Sequence, residues 1–442
     1  MIKNLKKNPP LVICLSFIVL IFTGAFLLNT KMASVSGENI GFVNALFTST
    51  SASCVTGLVL VNTSEYWTAF GKFIIASLIQ IGGLGTMVFL SLIPMLFHKR
   101  IGIVERRILK EQVSHDATKG IIKLVIYIIK FSLGVEFVGA ILLALRFVPQ
   151  YGFIKGTLFS LFHSVSAFCN AGFDLTGNSL MNYQSDGLIT LTISSLIIIG
   201  GLGYTVFLEI YRHRNFKNLS LHSKAAISIS LILLIIGTLG FFLLEHNQIS
   251  MNNLDLKGKI LTSYFMSASS RTAGFNSLDL SKIQEGSVII TIFLMFIGAS
   301  PASTGGGIKT TTFGVLLFST ISVLRGDEEA EIFHKTIPYD ALVKSLCIFF
   351  LASGLVIISS LGLMIIEDGR FLYLDILYEI VSAFGTVGVS RGITSNLSYP
   401  SKIILIILMY IGRVGAATLG IGILNKKTKK HTKYSHGKII VG

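Results

Sequence analysis

Four short segments of this chain share one pattern, in which a small, hydroxyl-rich run leads into a turn that ends in glycine. These four glycine turns, numbered here one to four, are Cys54-Val55-Thr56-Gly57, Cys169-Asn170-Ala171-Gly172, Arg271-Thr272-Ala273-Gly274 and Gly385-Thr386-Val387-Gly388. Their glycines are 115, 102 and 114 residues apart, and an Ile-Gly pair follows each glycine after 24 to 28 residues. Self-similarity at a nearly fixed period indicates a repeat architecture, which constrains the whole fold more than a local motif does.

The composition indicates a membrane protein. Of the 442 residues, 52% are hydrophobic and only 13% are charged, whereas about a quarter of the residues in a soluble protein are charged. A helix needs about 20 apolar residues to cross the hydrocarbon core of a bilayer, and helices satisfy their own backbone groups there. The eight stretches predicted to span are Leu11–Leu28, Tyr66–Phe97, Ile121–Phe147, Leu188–Tyr211, Ala225–Leu244, Gly286–Leu324 (interrupted), Ala341–Ile366 and Ile403–Leu424.

The basic residues predict the orientation of the chain rather than a nucleic-acid partner. The net charge is +15, and 21 of the 37 Lys and Arg lie in the segments that face the cytoplasm if both termini are cytoplasmic. That bias follows the positive-inside rule. A contact of the basic tail with anionic lipid or with a partner protein stays open. Met1–Leu28 resembles a signal peptide, but its apolar run is long for one, so we interpret it as an uncleaved first span.

The period of the glycine turns divides the chain into four units, each a span, a short re-entrant helix, a glycine turn and a second span. The predicted boundaries are 1–98, 99–215, 216–326 and 327–425, followed by a basic cytoplasmic tail over 426–442. The re-entrant helices are predicted at Val43–Ser53, Ile154–Phe168, Lys259–Ser270 and Leu372–Phe384. The predicted fold class is therefore an all-α integral membrane protein with four pseudo-symmetric repeats around a central pore. The alternative is a set of ordinary outer loops with buried helical turns.

The glycine turns have the residues that a cation filter made of backbone carbonyls requires. Glycine adopts positive φ without steric cost, and rings of carbonyl oxygens can replace the water of an ion. The turns contain no carboxylate, and the negative ends of helix dipoles favour a cation. Asp174 is either a source of negative potential at the outer mouth or a solvated loop acid. The predicted cation-binding residues are Cys54, Val55, Thr56, Gly57, Cys169, Asn170, Ala171, Gly172, Thr272, Ala273, Gly274, Thr386, Val387 and Gly388.

Two features of the later spans stand out. The stretch 298–307 contains a proline and three consecutive glycines, which break helices, so we expect a loop at membrane depth; a kinked helix is the alternative. Arg413 lies inside the last span, where an arginine costs at least about 2.5 kcal/mol. The residues aligned with it in the other units are small: Gly83, Gly201 and Ala299. We therefore expect Arg413 to cross the axis and hydrogen-bond the loop, with a snorkelling or distantly paired arginine as the alternative.

The repeat unit, the four single glycines and the broken span closely resemble the Trk/Ktr/HKT superfamily of potassium transporters, in particular the membrane subunit of bacterial Ktr-type systems. The resemblance covers essentially the whole chain. In that family the four glycines line a potassium filter, and a serine in place of the first glycine accompanies sodium preference in some plant members. This chain has glycine at all four positions, so the resemblance implies potassium. It also implies an intramembrane gate, in which the matching arginine acts as a barrier. The gate residues are then Gly298, Ser300, Pro301, Ser303, Thr304, Gly305, Gly306, Gly307 and Arg413.

The same resemblance implies partners that the residues alone do not show. It implies a homodimer with one pore per subunit, and a cytosolic ring of nucleotide-binding regulatory subunits at the inner face. We expect no cofactor beyond the transported K⁺, and Na⁺ as an activator stays open. Two other classes are less compatible with the sequence. A secondary transporter with broken helices usually has intramembrane acids, which are scarce here, and a membrane enzyme would need a catalytic motif that we do not find.

Overall fold

The structure is a computed structural model that describes residues 9–86, 88, 106, 109, 121–327 and 329–415. Its helices are α1 (Pro9–Leu28), α2 (Phe42–Ser53), α3 (Thr63–Tyr66), α4 (Ala69–Leu84), α5 (Ile121–Tyr151), α6 (Phe153–Phe168), α7 (Gly187–Leu202), α8 (Tyr204–His213), α9 (Leu221–Glu245), α10 (Leu256–Ser269), α11 (Glu285–Phe296), α12 (Thr310–Arg325), α13 (Tyr339–Glu367), α14 (Tyr373–Gly385) and α15 (Tyr399–Val414). A two-residue hairpin, β1 (Glu331–Ile332) with β2 (Lys335–Thr336), is the only sheet among these residues. The basic tail 426–442 and most of the loop 98–120 lie outside the described residues.

Four helices of the described part are long and apolar enough to cross a membrane: α1, α5, α9 and α13. They coincide with the first span of each predicted unit. Mean hydropathies of 2.1 to 2.9 over their most apolar windows suit burial in hydrocarbon. An all-α, multi-pass membrane fold is thus confirmed.

The second span of the second unit differs from the prediction. We expected only the sixth span to be broken, but α7 and α8, predicted as one span, are bent by 93° at Gly203. The helices α4 and α15 end in the same way, at Gly85 and Gly415. The φ angles of these three glycines are +94°, +93° and +92°, a conformation that glycine alone adopts at low cost. Each lies three residues after the glycine of an Ile-Gly pair, so one local signal ends all three helices.

The four re-entrant helices α2, α6, α10 and α14 begin and end within three residues of the predicted bounds. Serines in three of them donate hydrogen bonds to the neighbouring long helix, three residues before a glycine of that helix. The bonds run from Ser49 Oγ to Ile21 O (2.6 Å), from Ser164 Oγ to Glu136 O (2.6 Å) and from Ser267 Oγ to Leu234 O (2.8 Å). A Cβ on Gly24, Gly139 or Gly237 would collide with the same serine Oγ. Close contact between small residues is how helices pack in lipid.

The Ile-Gly pairs mark a second close contact, between the end of a re-entrant helix and the helix that follows it. A Cβ added at Gly82, Gly200 or Gly412 would meet the main-chain oxygen of Ser53, Phe168 or Phe384, closer than any real Cβ contact. In the third unit, Gly298 is instead covered by the Gly306 carbonyl. The regular spacing of these pairs therefore reflects packing against the end of the re-entrant helix.

This contact yields a stability prediction. We expect Gly200→Ala to destabilise the protein by about 1–3 kcal/mol, the usual cost of overpacking, because the Cβ meets a rigid backbone atom rather than a movable side chain. The midpoint of thermal unfolding in detergent measures this. Gly134→Ala is the matched control, since Gly134 also lies within a helix but nothing lies within 4 Å of its Cβ position. An equal loss in both variants would contradict the packing account.

Candidate functional site

Each re-entrant helix is followed, within three residues, by a residue in the left-handed conformation that lies two positions before the glycine of its turn. These residues are Val55 (φ +50°), Asn170 (+59°), Thr272 (+75°) and Thr386 (+49°). In turns one, two and four the following N–H reaches back to a carbonyl of the helix: Thr56 N to Ser51 O, Ala171 N to Ser166 O and Val387 N to Ser382 O, each at 2.8 Å. This is the Schellman arrangement for ending a helix, built here without glycine at the left-handed position. Three of the four residues are β-branched, so the helix ends are strained.

The four glycine turns meet in one ring. The glycines have φ angles of +98°, +69°, +78° and +97° in chain order, and the side on which a Cβ would stand faces the neighbouring turn. A Cβ on Gly57 would lie 2.6 Å from Ala171 O, one on Gly172 would lie 2.9 Å from Ala273 O, one on Gly274 would lie 2.5 Å from Val387 O, and one on Gly388 would collide with Thr56 O. The cycle closes, so the four turns surround one axis with the oxygens of Thr56, Ala171, Ala273 and Val387 in the ring.

The ring is narrow. A Cβ at Gly274 would approach all three other turns, at 2.5 Å from Val387 O, 2.9 Å from Gly172 Cα and 3.2 Å from Thr56 O. The first of these atoms belongs to one neighbouring turn, the second to the other, and the third to the turn across the axis. The opening therefore leaves no space for a side chain at the glycine positions.

Serine hydroxyls of three re-entrant helices hold the glycine turns in place. Ser51 Oγ accepts a hydrogen bond from Gly57 N at 3.0 Å, and Ser382 Oγ accepts one from Gly388 N at 3.1 Å. In turn two, Ser166 Oγ donates to Phe173 O at 2.8 Å, just beyond the glycine. Because these serines bind the amide groups, they orient the turns without lying in the ring themselves.

The stretch predicted to break the sixth span is a loop that packs against the second unit. Its main-chain bonds run from Ser300 N to Gly201 O (2.9 Å), from Thr304 N to Gly200 O (3.1 Å) and from Tyr204 N to Ala302 O (2.9 Å). Thr304 Oγ1 also donates to Phe168 O at 3.1 Å, at the end of α6. Lys309 Nζ donates to Gly305 O at 2.7 Å, so its side chain docks on the loop.

Arg413 connects this loop to the first unit. Its guanidinium donates to Thr304 O, to Gly82 O and, at 3.0 Å, to Gly83 O. The first acceptor belongs to the loop and the other two to the end of α4, so the side chain reaches across from the fourth unit. A cavity of about 410 Å³ adjoins it, lined by residues that include Gly85, Tyr204 and Pro301. Arg413 and the loop residues Pro301, Gly305 and Gly307 all line this cavity.

Three charged residues in or near the glycine turns and spans have structural partners. Arg271 turns away from the ring and donates to Ser230 O and Ser230 Oγ at 3.0 Å each. Glu136 accepts two bonds from Gln80 Nε2 at 3.0 and 3.2 Å, so it packs against a polar neighbour. Asp174 Oδ2 accepts hydrogen bonds from Gly177 N (2.7 Å) and from two further loop donors. One oxygen of Asp174 therefore shapes the loop beyond turn two.

The described residues contain no cluster of His, Cys, Asp and Glu that could hold a metal ion by side chains. The polar atoms that converge on the axis are instead main-chain oxygens. Sequence reasoning did not predict the strained residues before the glycines, and it did not predict Gly85, Gly203 and Gly415 as helix ends.

Comparisons with known proteins agree on one family. The family model TrkH, described as a cation transport protein, matches residues 7–426. The chain is 40% identical to the potassium/sodium uptake protein NtpJ of Enterococcus hirae, over 98% of this chain and 97% of that protein. It is also 40% identical to the Ktr system potassium uptake protein B of Bacillus subtilis, over 100% and 98% of the two chains. The crystal structure of the potassium transporter TrkH from Vibrio parahaemolyticus shares the fold, with a TM-score of 0.74, 18% identity and coverage of 94% and 84%.

Proposed function

The chain belongs to the TrkH family of cation transport proteins, and from that premise we propose that it takes up potassium ions across the cell membrane through the ring of the four glycine turns. The observation that carries the proposal is the closed cycle in which each glycine faces the carbonyl of the next turn. Relatives named as potassium uptake proteins support it. The family is one of transporters, not enzymes.

The four turns act as walls of one selectivity filter, supplied by the four units 1–98, 99–215, 216–326 and 327–425. An ion that enters the membrane loses water, and the main-chain oxygens of the ring take its place. No side chain fits there, so every wall needs glycine at its narrowest point. The C-terminal ends of the four re-entrant helices point at the ring, and their partial negative charge favours a cation.

The loop 298–307 and Arg413 form the gate. The guanidinium carries a full positive charge next to the path, which opposes the passage of a cation, and its bonds to Thr304 and Gly82 hold the loop in place. Since Lys309 also binds this loop, two basic side chains hold it. Opening then requires the loop and the arginine to move together.

The chain is the membrane subunit of a larger assembly. Relatives are named as components of a Ktr system, which supports a working partner. We assign it two kinds of partner, a second copy of this chain and a cytosolic ring of nucleotide-binding regulatory subunits. The excess of Lys and Arg in alternate loops supports cytoplasmic N- and C-termini. The chain needs no bound cofactor beyond the transported K⁺.

A second version of the proposal includes Na⁺ as a transported ion or an activator, because one relative is named a potassium/sodium uptake protein. In that version Na⁺ either passes the same filter or activates potassium uptake. Uptake of K⁺ measured with and without external Na⁺ distinguishes activation from competition, since an activator raises the rate of K⁺ uptake and a competitor lowers it.

The test of the proposal is ion uptake by a potassium-uptake-deficient cell that expresses this chain with and without a regulatory partner. We expect potassium uptake in preference to sodium uptake. Gly57→Ser is expected to lower that preference by about tenfold, on the order of 1.4 kcal/mol. The added Cβ would stand 2.6 Å from Ala171 O, so the neighbouring wall must shift. Absence of potassium uptake with any partner would overturn the proposal.

A further inference from the structure

The chain that leaves the fourth glycine turn is fixed by a buried glutamate of the re-entrant helix. Glu379 lies in α14, nine residues before Gly388, and its side chain is fully buried. Its two carboxylate oxygens accept hydrogen bonds from Ser390 Oγ at 2.8 Å and from Thr394 Oγ1 at 2.5 Å. Ser390 is only two residues beyond Gly388, so the carboxylate holds the outer end of this wall against its own helix.

Glu379 has no opposite charge of its own. Asp375, one helical turn earlier, forms an ion pair with Arg391, and Arg391 Nε also donates to Leu280 O of the third unit at 3.2 Å. No ion pair among the described residues includes Glu379. A carboxylate that is buried and has only hydroxyl partners is costly to keep, so its position next to the filter calls for a reason other than stability.

The second wall has a similar device at the equivalent position. His163 lies nine residues before Gly172 and is fully buried. Its Nδ1 is 2.7 Å from Phe159 O, and its Nε2 is 3.3 Å from Leu175 N. Since a carbonyl only accepts and an amide only donates, Nδ1 carries the proton and Nε2 accepts. The imidazole therefore holds the chain three residues beyond Gly172 in the same way.

The first and third walls have no such contact from the equivalent helix position. Thr48, at the equivalent position of the first wall, donates to Asn44 O of its own helix at 3.0 Å, and Phe265 of the third wall offers no polar atom. In the ring, walls two and four face each other, because Gly57 and Gly274 face each other across the axis. The third wall is held elsewhere, since Asn276 N donates to Ser179 Oγ of the second unit at 2.9 Å. One opposed pair of walls thus has a polar side chain nine residues before its glycine that contacts the chain beyond that glycine, and the other pair does not.

We propose that Glu379 is a positioning residue for the filter, which holds the outer end of the fourth wall in place and thereby maintains discrimination between potassium and sodium. His163 has the same role in the opposite wall. This inference rests on the proposed function. If the walls can move inward, the carbonyls close around the smaller ion, so a filter that prefers the larger ion benefits from walls that are held apart.

The test compares substitutions of Glu379 in the full chain, with initial rates of K⁺ and Na⁺ uptake and the amount of protein in the membrane measured for each variant. Glu379→Met keeps the volume but removes both acceptors. We expect it to lower the ratio of K⁺ to Na⁺ uptake by about tenfold, on the order of 1.4 kcal/mol. Glu379→Gln keeps one acceptor and gains a donor, so it should stay within about threefold of the wild-type ratio.

A matched control is Glu245→Met. Glu245 is also a fully buried carboxylate that accepts from hydroxyl groups, at 2.5 Å from Ser287 Oγ and 2.6 Å from Ser250 Oγ. It caps the start of α11 instead of a glycine turn. We expect this variant to alter abundance but not the ratio of K⁺ to Na⁺ uptake, which separates loss of a buried acid from loss of a filter support.

The outcomes are distinct. A wild-type ratio in Glu379→Met would overturn the inference, as would an equal loss in Glu379→Gln, which would make charge rather than position the cause. If Glu379→Met does not accumulate, the double variant Ser390→Ala with Thr394→Val removes the donors instead, and a wild-type ratio there has the same consequence. Absence of potassium uptake by the wild-type chain would overturn the proposed function. That result is distinct from a change in the ratio of K⁺ to Na⁺ uptake among the variants, which tests the role of Glu379 alone.

Discussion

Gly388→Ala should abolish potassium uptake. The new Cβ would collide with Thr56 O, and Gly57 Cα would lie 2.7 Å from it. Both are backbone atoms of a neighbouring wall, so no side chain can move aside to make room. A φ of +97° adds about 1–2 kcal/mol of strain for any residue with a Cβ. Displacement of one wall by roughly 1 Å in such a preorganised site costs on the order of a hundredfold in rate.

The control for this prediction is Gly392→Ala in the same loop. Gly392 has a nearly identical φ of +95°, but nothing lies within 4 Å of its Cβ position. It therefore carries the conformational cost without the collision. The initial rate of rubidium or potassium uptake per amount of membrane protein compares the two variants. If Gly392→Ala loses as much uptake as Gly388→Ala, backbone strain and not the narrow ring explains the loss.

Removal of the charge at Arg413 should raise potassium uptake. At an effective dielectric constant of about 20, two unit charges 4 Å apart repel by about 4 kcal/mol. Even a part of this barrier corresponds to at least about a tenfold rise in the rate of uptake for Arg413→Ala. The same substitution frees Thr304 O and Gly83 O of the loop and of α4, which loosens the closed gate. Initial rates of rubidium uptake at equal protein amounts measure the effect.

Two further substitutions separate the charge from the loss of a large side chain. Arg413→Lys keeps a positive charge near the path, so its rate should remain close to that of the wild type. Arg271→Met removes another half-buried arginine, whose bonds go to Ser230 and away from the ring, and should not raise uptake. An unchanged or reduced rate in well-folded Arg413→Ala protein would count against the barrier.

Much of this architecture could be predicted because it depends on local chemistry that repeats. The glycines at the ends of the re-entrant helices have the positive φ angles that their residue type suggests. The break at 298–307 follows from proline and glycine in an apolar span. The small residues aligned with Arg413 left room for its guanidinium, and one of them, Gly83, accepts a hydrogen bond from it.

Other features were hidden because their causes are not local. Val55 and Thr386 are β-branched and have φ angles of +50° and +49°, which sequence propensities oppose and which only the surrounding helices enforce. The bend at Gly203 was missed because its glycine-rich sequence equally suits straight, closely packed helices. Glu379 gave no signal either, since its partners Ser390 and Thr394 are 11 and 15 residues away.

The location of the bound ion tests the central claim most directly. An anomalous difference map of crystals grown in rubidium or thallium, which substitute for potassium, would place the ion in the protein. The account predicts a peak on the axis between the main-chain oxygens of Thr56, Ala171, Ala273 and Val387. A map with ordered glycine turns and no peak among them, but with a strong site elsewhere in the membrane, would contradict it.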